Sequence, residues 1–129
     1  MDISWSASSP TSGTFVATER SGVAGLVERF GELRAQGQGY LEVRGDANFP
    51  VCALGFKGSA AVVHLMSDDG VVSPLVADQP ADVSAEVLVM DALIEFTADF
   101  VLDLDRAWQV VEEFLRTGDP ARAGDWFEL

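Results

Sequence analysis

The middle of the chain is a succession of short apolar segments separated by turn residues, and this pattern limits the possible folds more than any other feature. Lys57-Gly58-Ser59 and Asp68-Asp69-Gly70 are typical turn sequences. Because strands joined by such short connections run in opposite directions, the pattern predicts a largely antiparallel sheet. The strand candidates of this region are residues 40–44, 49–56, 60–66 and 71–73.

Two amphipathic helices are predicted on either side of this region, and an N-terminal strand hairpin (residues 3–7 and 14–17) precedes the first helix. Asp103 is placed to cap the second helix, and Thr117-Gly118-Asp119-Pro120 ends it with the usual glycine and following proline. The apolar faces consist of Val23, Leu26, Val27, Phe30 and Leu33 in the first helix and Leu104, Ala107, Trp108, Val111, Phe114 and Leu115 in the second.

These elements predict an α+β fold with a single antiparallel sheet of about five to seven strands. A helix with one apolar face covers one side of a sheet, so both main helices are expected to pack on the same face. Trp108 lies within its helix's apolar face and is therefore predicted to be buried. A chain of 129 residues has the length of one domain, so residues 1–129 are assigned to a single α+β domain.

A further hairpin is predicted at Ser84–Met90 and Leu93–Ala98, turning at Asp91-Ala92. Alternation places Val87, Val89, Ile94 and Phe96 on one face, which is predicted to be core. The opposite face mixes carboxylates with large apolar groups, which a fully solvated face would not need. Either a binding partner or a covering loop explains this mixture, and the sequence does not choose between them. The residues of this opposite face are Glu86, Leu88, Met90, Leu93, Glu95 and Thr97.

Charge is distributed unevenly along the chain. In total, 21 acidic residues face 8 basic ones, a formal net charge of -13. Between Lys57 and Arg106 there is no Lys or Arg, whereas ten carboxylates lie there. Such a surface repels phosphates and argues against nucleic-acid binding, but it suits a basic partner such as the substrate groove of an enzyme that acts on nucleic acid. The plainer interpretation is a generic acidic cytoplasmic protein.

Residues that commonly carry catalysis or bind metals are scarce. The single histidine, His64, lies between two apolar residues of a predicted strand, and the single cysteine, Cys52, lies in the apolar run Val51–Leu54. One His and one Cys do not make a zinc site of the usual type, and nothing local supports a Cys52–His64 nucleophilic pair. Neither a P-loop nor a GxGxxG fingerprint is present. We therefore expect no catalytic residue, no metal and no cofactor.

The expected location is the cytoplasm. A single cysteine allows no internal disulfide and is typical of a reducing compartment. Met1 to Thr11 lacks the basic start and apolar stretch of a secretory signal, and the longest apolar runs are too short to span a bilayer.

The C-terminal third resembles the closing segment of a known family. The residues that carry the resemblance are Ile94–Asp99, Val101–Ala107, Glu112–Arg122 and Trp126. They resemble the immunity-protein family conventionally numbered one among bacterial polymorphic-toxin systems, which is common in actinobacteria. The chain has Thr97 and Asp103 where that pattern has prolines. The resemblance implies an α+β inhibitor without catalytic residues that blocks a cognate toxin, often a nucleic-acid deaminase or nuclease.

Charge and resemblance together predict an immunity protein that binds a toxin with a basic groove through an acidic surface. We expect a monomer or a homodimer, with no nucleic-acid or membrane partner. The alternative is a small-molecule-binding module or a small enzyme of α+β type, which a deep pocket with converging polar groups would favour. The predicted toxin-binding residues are Asp68, Asp69, Glu86, Leu88, Met90, Asp91, Glu95 and Asp99.

Overall fold

The computed structural model describes residues 3–9, 15–45, 50–68, 72–77, 84–89, 92–119 and 124–127, with the backbone alone for 15–21. Two helices are present in this part of the chain, α1 (Val23–Gln36) and α2 (Leu104–Thr117). A single 3-10 turn, Ala98–Phe100, precedes α2. The strands are β1 (Ser4–Ser8), β2 (Phe15–Ser21), β3 (Gln38–Arg44), β4 (Val51–Lys57), β5 (Ala60–Met66), β6 (Val72–Pro74), β7 (Ala85–Val89), β8 (Ala92–Phe96) and β9 (Leu102–Asp103).

The predicted α+β class and the antiparallel sheet are confirmed. The main sheet runs in the order β2-β1-β3-β4-β5-β6, and every pairing in it is antiparallel. The two-residue β9 pairs with β5 at Ala60 and Ala61, while β6 pairs with the other end of β5. A single bridge between Leu75 and Trp126 attaches the C-terminal segment beside β6. The strands β7 and β8 form a separate two-stranded sheet, which was not predicted as a second sheet.

Both helices pack on one face of the main sheet, as predicted. Their ends follow local sequence: the Asp103 side chain accepts a hydrogen bond from the Asp105 amide, and Gly118 ends α2 in the left-handed conformation. The helices run antiparallel, as a 2.6 Å ion pair between Arg34 near the end of α1 and Asp105 at the start of α2 shows. The core between helices and sheet includes Leu26, Phe30, Leu33, Leu41, Val43, Leu54, Phe56, Val63, Leu104, Val110, Val111 and Phe114.

The opposite face of the main sheet is covered by the β7–β8 hairpin. Leu88 of β7 packs against Tyr40 and Ala53, and Val87 packs against Val62. The apolar run of β4 is therefore buried on both sides, which explains why it reads as continuous rather than alternating. Gly55 lies directly below β7, where its missing side chain leaves room for the Leu88 backbone.

The prediction that Val23 and Val27 belong to the core is wrong. Their side chains are 52% and 49% exposed, whereas Leu26 is fully buried. The reason is that the Gly25 side of α1 lies against Trp5 of β1. A Cβ at Gly25 would lie 3.3 Å from the Trp5 ring, so this small residue allows the helix to rest on the indole. Because the helix rests on this side, the side of α1 that carries the two valines faces away from the sheet.

The prediction that Trp108 is buried is confirmed in part, because its side chain is partly buried and packs against the core. Its ring stacks on Phe30 at 4.1 Å between centroids with the planes nearly parallel. Phe30 in turn meets Phe56 of β4 edge to face at 5.9 Å. The three rings form a continuous aromatic contact from the sheet through α1 to α2, so Trp108 is the outermost ring of the core.

Candidate protein-binding surface

The β7–β8 hairpin is attached to the molecule through β7. Val87 and Leu88 point in different directions from one strand, yet both are buried, because β7 lies across β3, β4 and β5. The expectation that Leu88 is an exposed anchor for a partner is therefore wrong. Burying β7 leaves β8 as the outer strand of the hairpin.

Strand β8 presents large apolar side chains to solvent from both of its faces. Leu93 and Ile94 are each 42% exposed. The prediction that Ile94 is core is wrong for the same reason that Leu88 is buried: the sheet meets the hairpin along β7, not along one of the hairpin's two faces. Exposed apolar residues on an outer strand are typical of an interaction surface.

Two carboxylates face each other across this hairpin. The register pairs Glu86 of β7 directly with Glu95 of β8, and both residues are exposed. Like charges in directly opposite positions destabilise a strand pair by several tenths of a kcal/mol, roughly. Leu93 lies on the same face of the hairpin as this pair, and Ile94 lies on the opposite face. The outer strand therefore carries exposed apolar groups on both faces and concentrated negative charge on one of them.

The structure places the other predicted binding residues as follows. Asp68 is exposed just after β5, and Asp99 is exposed in the 3-10 turn, where its backbone oxygen accepts a hydrogen bond from Ala77 at 2.8 Å. Strand register brings Glu86 and Glu95 together. Asp69, Met90 and Asp91 lie outside the described residues.

His64 and Cys52 are both in the interior, as their apolar neighbours suggested. His64 is 7% exposed beneath the hairpin, and its ring contacts Phe96 of β8 at 5.1 Å. Burial lowers the pKa of His64 to about 4 and raises the pKa of the Cys52 thiol to about 12. At neutral pH the imidazole is therefore uncharged, and the thiol is protonated and unreactive.

The burial of His64 predicts a pH-dependent stability. Its pKa is lowered from 6.5 in the unfolded chain to about 4 in the fold, so the unfolded state takes up the proton first as the pH falls. Stability from this group is complete above pH 6.5 and is lost progressively toward pH 4. Between pH 7 and pH 5 we expect a loss of about 2 kcal/mol in the free energy of unfolding.

Denaturant unfolding of the wild type and of His64→Phe at both pH values isolates this effect, because the 21 acidic residues contribute equally to both proteins. The variant keeps an aromatic ring against Phe96 but cannot titrate. An identical pH dependence in the two proteins would show that His64 is hydrated in the folded state.

A polar pair lies near the hairpin on the same face of the sheet. The Tyr40 hydroxyl donates a 2.7 Å hydrogen bond to Glu42. Burial of the ring, together with this bond to a carboxylate, raises the pKa of Tyr40. The bond satisfies the only polar atom of an otherwise buried ring. Within the described residues, no three His, Cys, Asp or Glu side chains converge as they would around a metal ion.

A concave feature that the sequence did not reveal lies between the two helices. It is a groove of about 660 Å³ between the N-terminal half of α1 and residues 108–116 of α2. Its floor includes Ile3 and Leu26, and Val23 and Val27 form one wall. The other wall carries Trp108, Gln109, Glu112, Glu113, Leu115 and Arg116. The sequence feature that could have indicated this groove is the width of the α1 apolar face. With Val23 and Val27 included, this face is broader than the face needed to cover the sheet.

Arg116 in this groove is already engaged by Glu113, with both carboxylate oxygens at 2.6 Å. Glu112 is exposed and adds a negative charge to the same wall. The groove is therefore apolar at its floor and acidic at its rim.

No helix in the described part of the chain has the length and apolar character needed to cross a membrane. Comparison of the chain with protein-family models, with curated proteins and with solved structures finds no match.

Proposed function

We propose that the protein is an inhibitor of the immunity type, which binds a cognate protein toxin and covers a basic groove on it. The observation that carries the proposal is the surface of the outer hairpin, where Glu86 opposes Glu95 on the face of exposed Leu93, and Ile94 is exposed on the other face. The resemblance of the C-terminal third to an immunity family supports the same function. The proposal assigns the protein no reaction of its own.

The hairpin surface has the composition expected of a binding site. An apolar centre supplies affinity when water is excluded from it, and surrounding charges speed the encounter and select the partner. Opposed carboxylates weaken the free protein slightly, but a cation placed between them removes that repulsion. A basic partner therefore gains from the arrangement that costs the isolated protein stability.

The charge also indicates the kind of toxin. An enzyme that acts on nucleic acid needs a basic groove to hold phosphates. A protein with a net charge of -13 and a long segment without Lys or Arg is attracted to such a groove. Occupying the groove blocks substrate entry without any contact to the catalytic residues.

A variant with Glu86→Gln and Glu95→Gln tests the proposal against the product of a neighbouring toxin gene, where the proposal expects the partner to be encoded. We expect association to slow by roughly three- to tenfold at low salt, with a flatter dependence on ionic strength, because two steering charges are lost. Stopped-flow or surface-based kinetics at several salt concentrations measures both effects. Stability is expected to stay the same or rise slightly, since the opposed pair is repulsive.

The matched control is Glu28→Gln with Glu112→Gln, which removes the same charge from exposed positions on the helix side. Steering by net charge alone would slow both variants equally, and an interface on the helices would slow the control more. Either result removes the hairpin from the proposed interface. A neighbouring gene product that does not bind the wild-type protein at all would remove the function itself.

A second candidate function is favoured by the groove between the helices. Its volume of about 660 Å³ lies in the range of small-molecule sites, and its floor is apolar with polar groups on one wall. The protein would then be a binding module for an apolar ligand. A screen for ligands that raise the melting temperature tests this, and Val23→Lys with Val27→Lys is expected to abolish any such shift.

A further inference from the structure

The outer edge of β8 is open in the described part of the chain. Strand β8 pairs with β7, and no backbone hydrogen bond joins its other edge to a second element among the described residues. In an antiparallel pair, every second residue directs its amide and carbonyl away from the partner strand. About half of the five residues of β8 therefore offer backbone hydrogen bonds outward.

Natural proteins usually protect such an edge with lysine, proline or a covering segment. The β8 sequence, Ala92-Leu93-Ile94-Glu95-Phe96, contains neither lysine nor proline. Its two large aliphatic side chains flank the edge and are each 42% exposed. The only charge on the strand is the carboxylate of Glu95, which is already opposed by Glu86.

This charge pattern selects the occupant of the edge. Pairing with a second copy would bring two surfaces with a formal net charge of -13 together and would place carboxylates of both copies side by side. An extended segment with Lys or Arg meets no such repulsion, and its cations relieve the existing repulsion between Glu86 and Glu95. The same carboxylates that oppose self-pairing therefore favour a basic strand.

We propose that the outer edge of β8 binds an extended, basic segment of a partner protein by strand addition. Backbone hydrogen bonds supply the register, apolar side chains of the segment cover Leu93 and Ile94, and its Lys or Arg side chains lie at Glu86 and Glu95. The inference rests on the proposed function where the partner is the toxin, and it states which part of the toxin binds and how.

The first experiment uses a synthetic peptide with two adjacent valines flanked by lysines, so that one valine lies on each face of the hairpin. It follows the backbone amides of residues 92–96 by NMR hydrogen exchange. Strand addition is expected to slow exchange at every second amide by at least about tenfold at saturation. The control is the same peptide with every backbone amide N-methylated, which has equal charge but no amide hydrogen to donate to the ladder. Equal binding of both peptides, or protection outside β8 alone, would overturn the proposal.

The second experiment blocks the edge. Leu93→Lys with Ile94→Lys adds two positive charges at exposed positions. This variant is expected to bind both the peptide and the toxin more than about tenfold more weakly than the wild type. Val23→Lys with Val27→Lys makes the same change in charge at somewhat more exposed positions on α1 and is expected to change affinity by less than about threefold. A larger loss in the α1 variant would place the interface in the helix groove.

The outcomes separate the two proposals. Toxin binding that depends on Glu86 and Glu95 without protection of the β8 amides would preserve the proposed function and reject strand addition. If the peptide slows exchange of the β8 amides but the toxin does not bind, strand addition is preserved and the toxin is rejected as the partner. Dimerisation through β8, seen by sedimentation and abolished by the Leu93→Lys and Ile94→Lys variant, would replace the basic segment with a second copy and reject the proposal.

Discussion

Replacing Gly55 with alanine is expected to lower the free energy of unfolding by about 3 kcal/mol or more. The new methyl group would overlap the carbonyl oxygen of Leu88, and it would also lie 3.2 Å from the Leu88 carbonyl carbon. Both neighbours are backbone atoms of β7, which no side-chain rotation can move. The hairpin must therefore shift away from the sheet, and the burial of Val87 and Leu88 is lost in part.

Urea unfolding measures this loss, and the NMR titration of His64 reports its cause. A displaced hairpin hydrates the imidazole, so its pKa should rise from about 4 toward 6.5. The control is Gly31→Ala: no atom lies within 4 Å of the new methyl group, and α1 gains helix propensity. That change is expected to stabilise by up to about 1 kcal/mol. A Gly55→Ala protein as stable as the wild type would show that β7 does not rest on β4.

Replacing Phe30 with alanine is expected to cost about 4 kcal/mol. Phe30 is 5% exposed and joins three layers, stacking on Trp108 of α2 and meeting Phe56 of the sheet edge to face. Truncation leaves a cavity bounded by two rings that are fixed on different elements, so neither can move in to fill it. Denaturant unfolding measures the cost, and Trp108 emission should shift as its stacking partner disappears.

Phe127→Ala is the matched control for this truncation. Phe127 also meets a second ring edge to face, that of Phe100 at 5.6 Å, but it is 47% exposed. Its loss is expected to cost less than about 1 kcal/mol, because little apolar surface is returned to water. Similar costs for the two variants would contradict the central position of Phe30 in the core.

The two substitutions also separate the two sides of the sheet. Gly55→Ala displaces the proposed binding hairpin while leaving the helix core in place, so it is expected to weaken partner binding in the folded protein. Phe30→Ala loosens the helices and the groove between them but leaves the contacts of β7 with the sheet. Partner affinity measured for both variants under conditions where they remain folded therefore distinguishes a hairpin interface from a groove interface.

The sequence predicted the elements well because their signals are local. Alternation in 40–44, the turn Lys57-Gly58-Ser59 and the glycine at the end of α2 depend on neighbouring residues only. The apolar run of β4 was likewise predicted as a strand, but its burial on both sides was not predicted. Antiparallel pairing followed from short connections, and one apolar face per helix was enough to place both helices on the same side of the sheet.

The candidate site was predicted only in part. Glu86 and Glu95 were correctly predicted to share a face, since strand period fixes which residues point the same way. Leu88 and Ile94 were assigned to the wrong environments, because the period says nothing about which edge or face of a hairpin meets the rest of the protein. The edge of β8 that stays unpaired among the described residues follows from that packing and has no signal in the sequence.

By itself, then, the sequence determined most of the strands, the two helices, the cap and end of α2 and the negative charge, all of which arise from short-range geometry and composition. Only the tertiary structure decided how the layers meet. Gly25 lets α1 rest on Trp5 and turns Val23 and Val27 toward solvent, and Gly55 lets β7 lie on β4 and leaves β8 outermost. The physical reason is that burial depends on contacts between residues distant in the chain, and the absence of a side chain at two glycines sets how closely those contacts form.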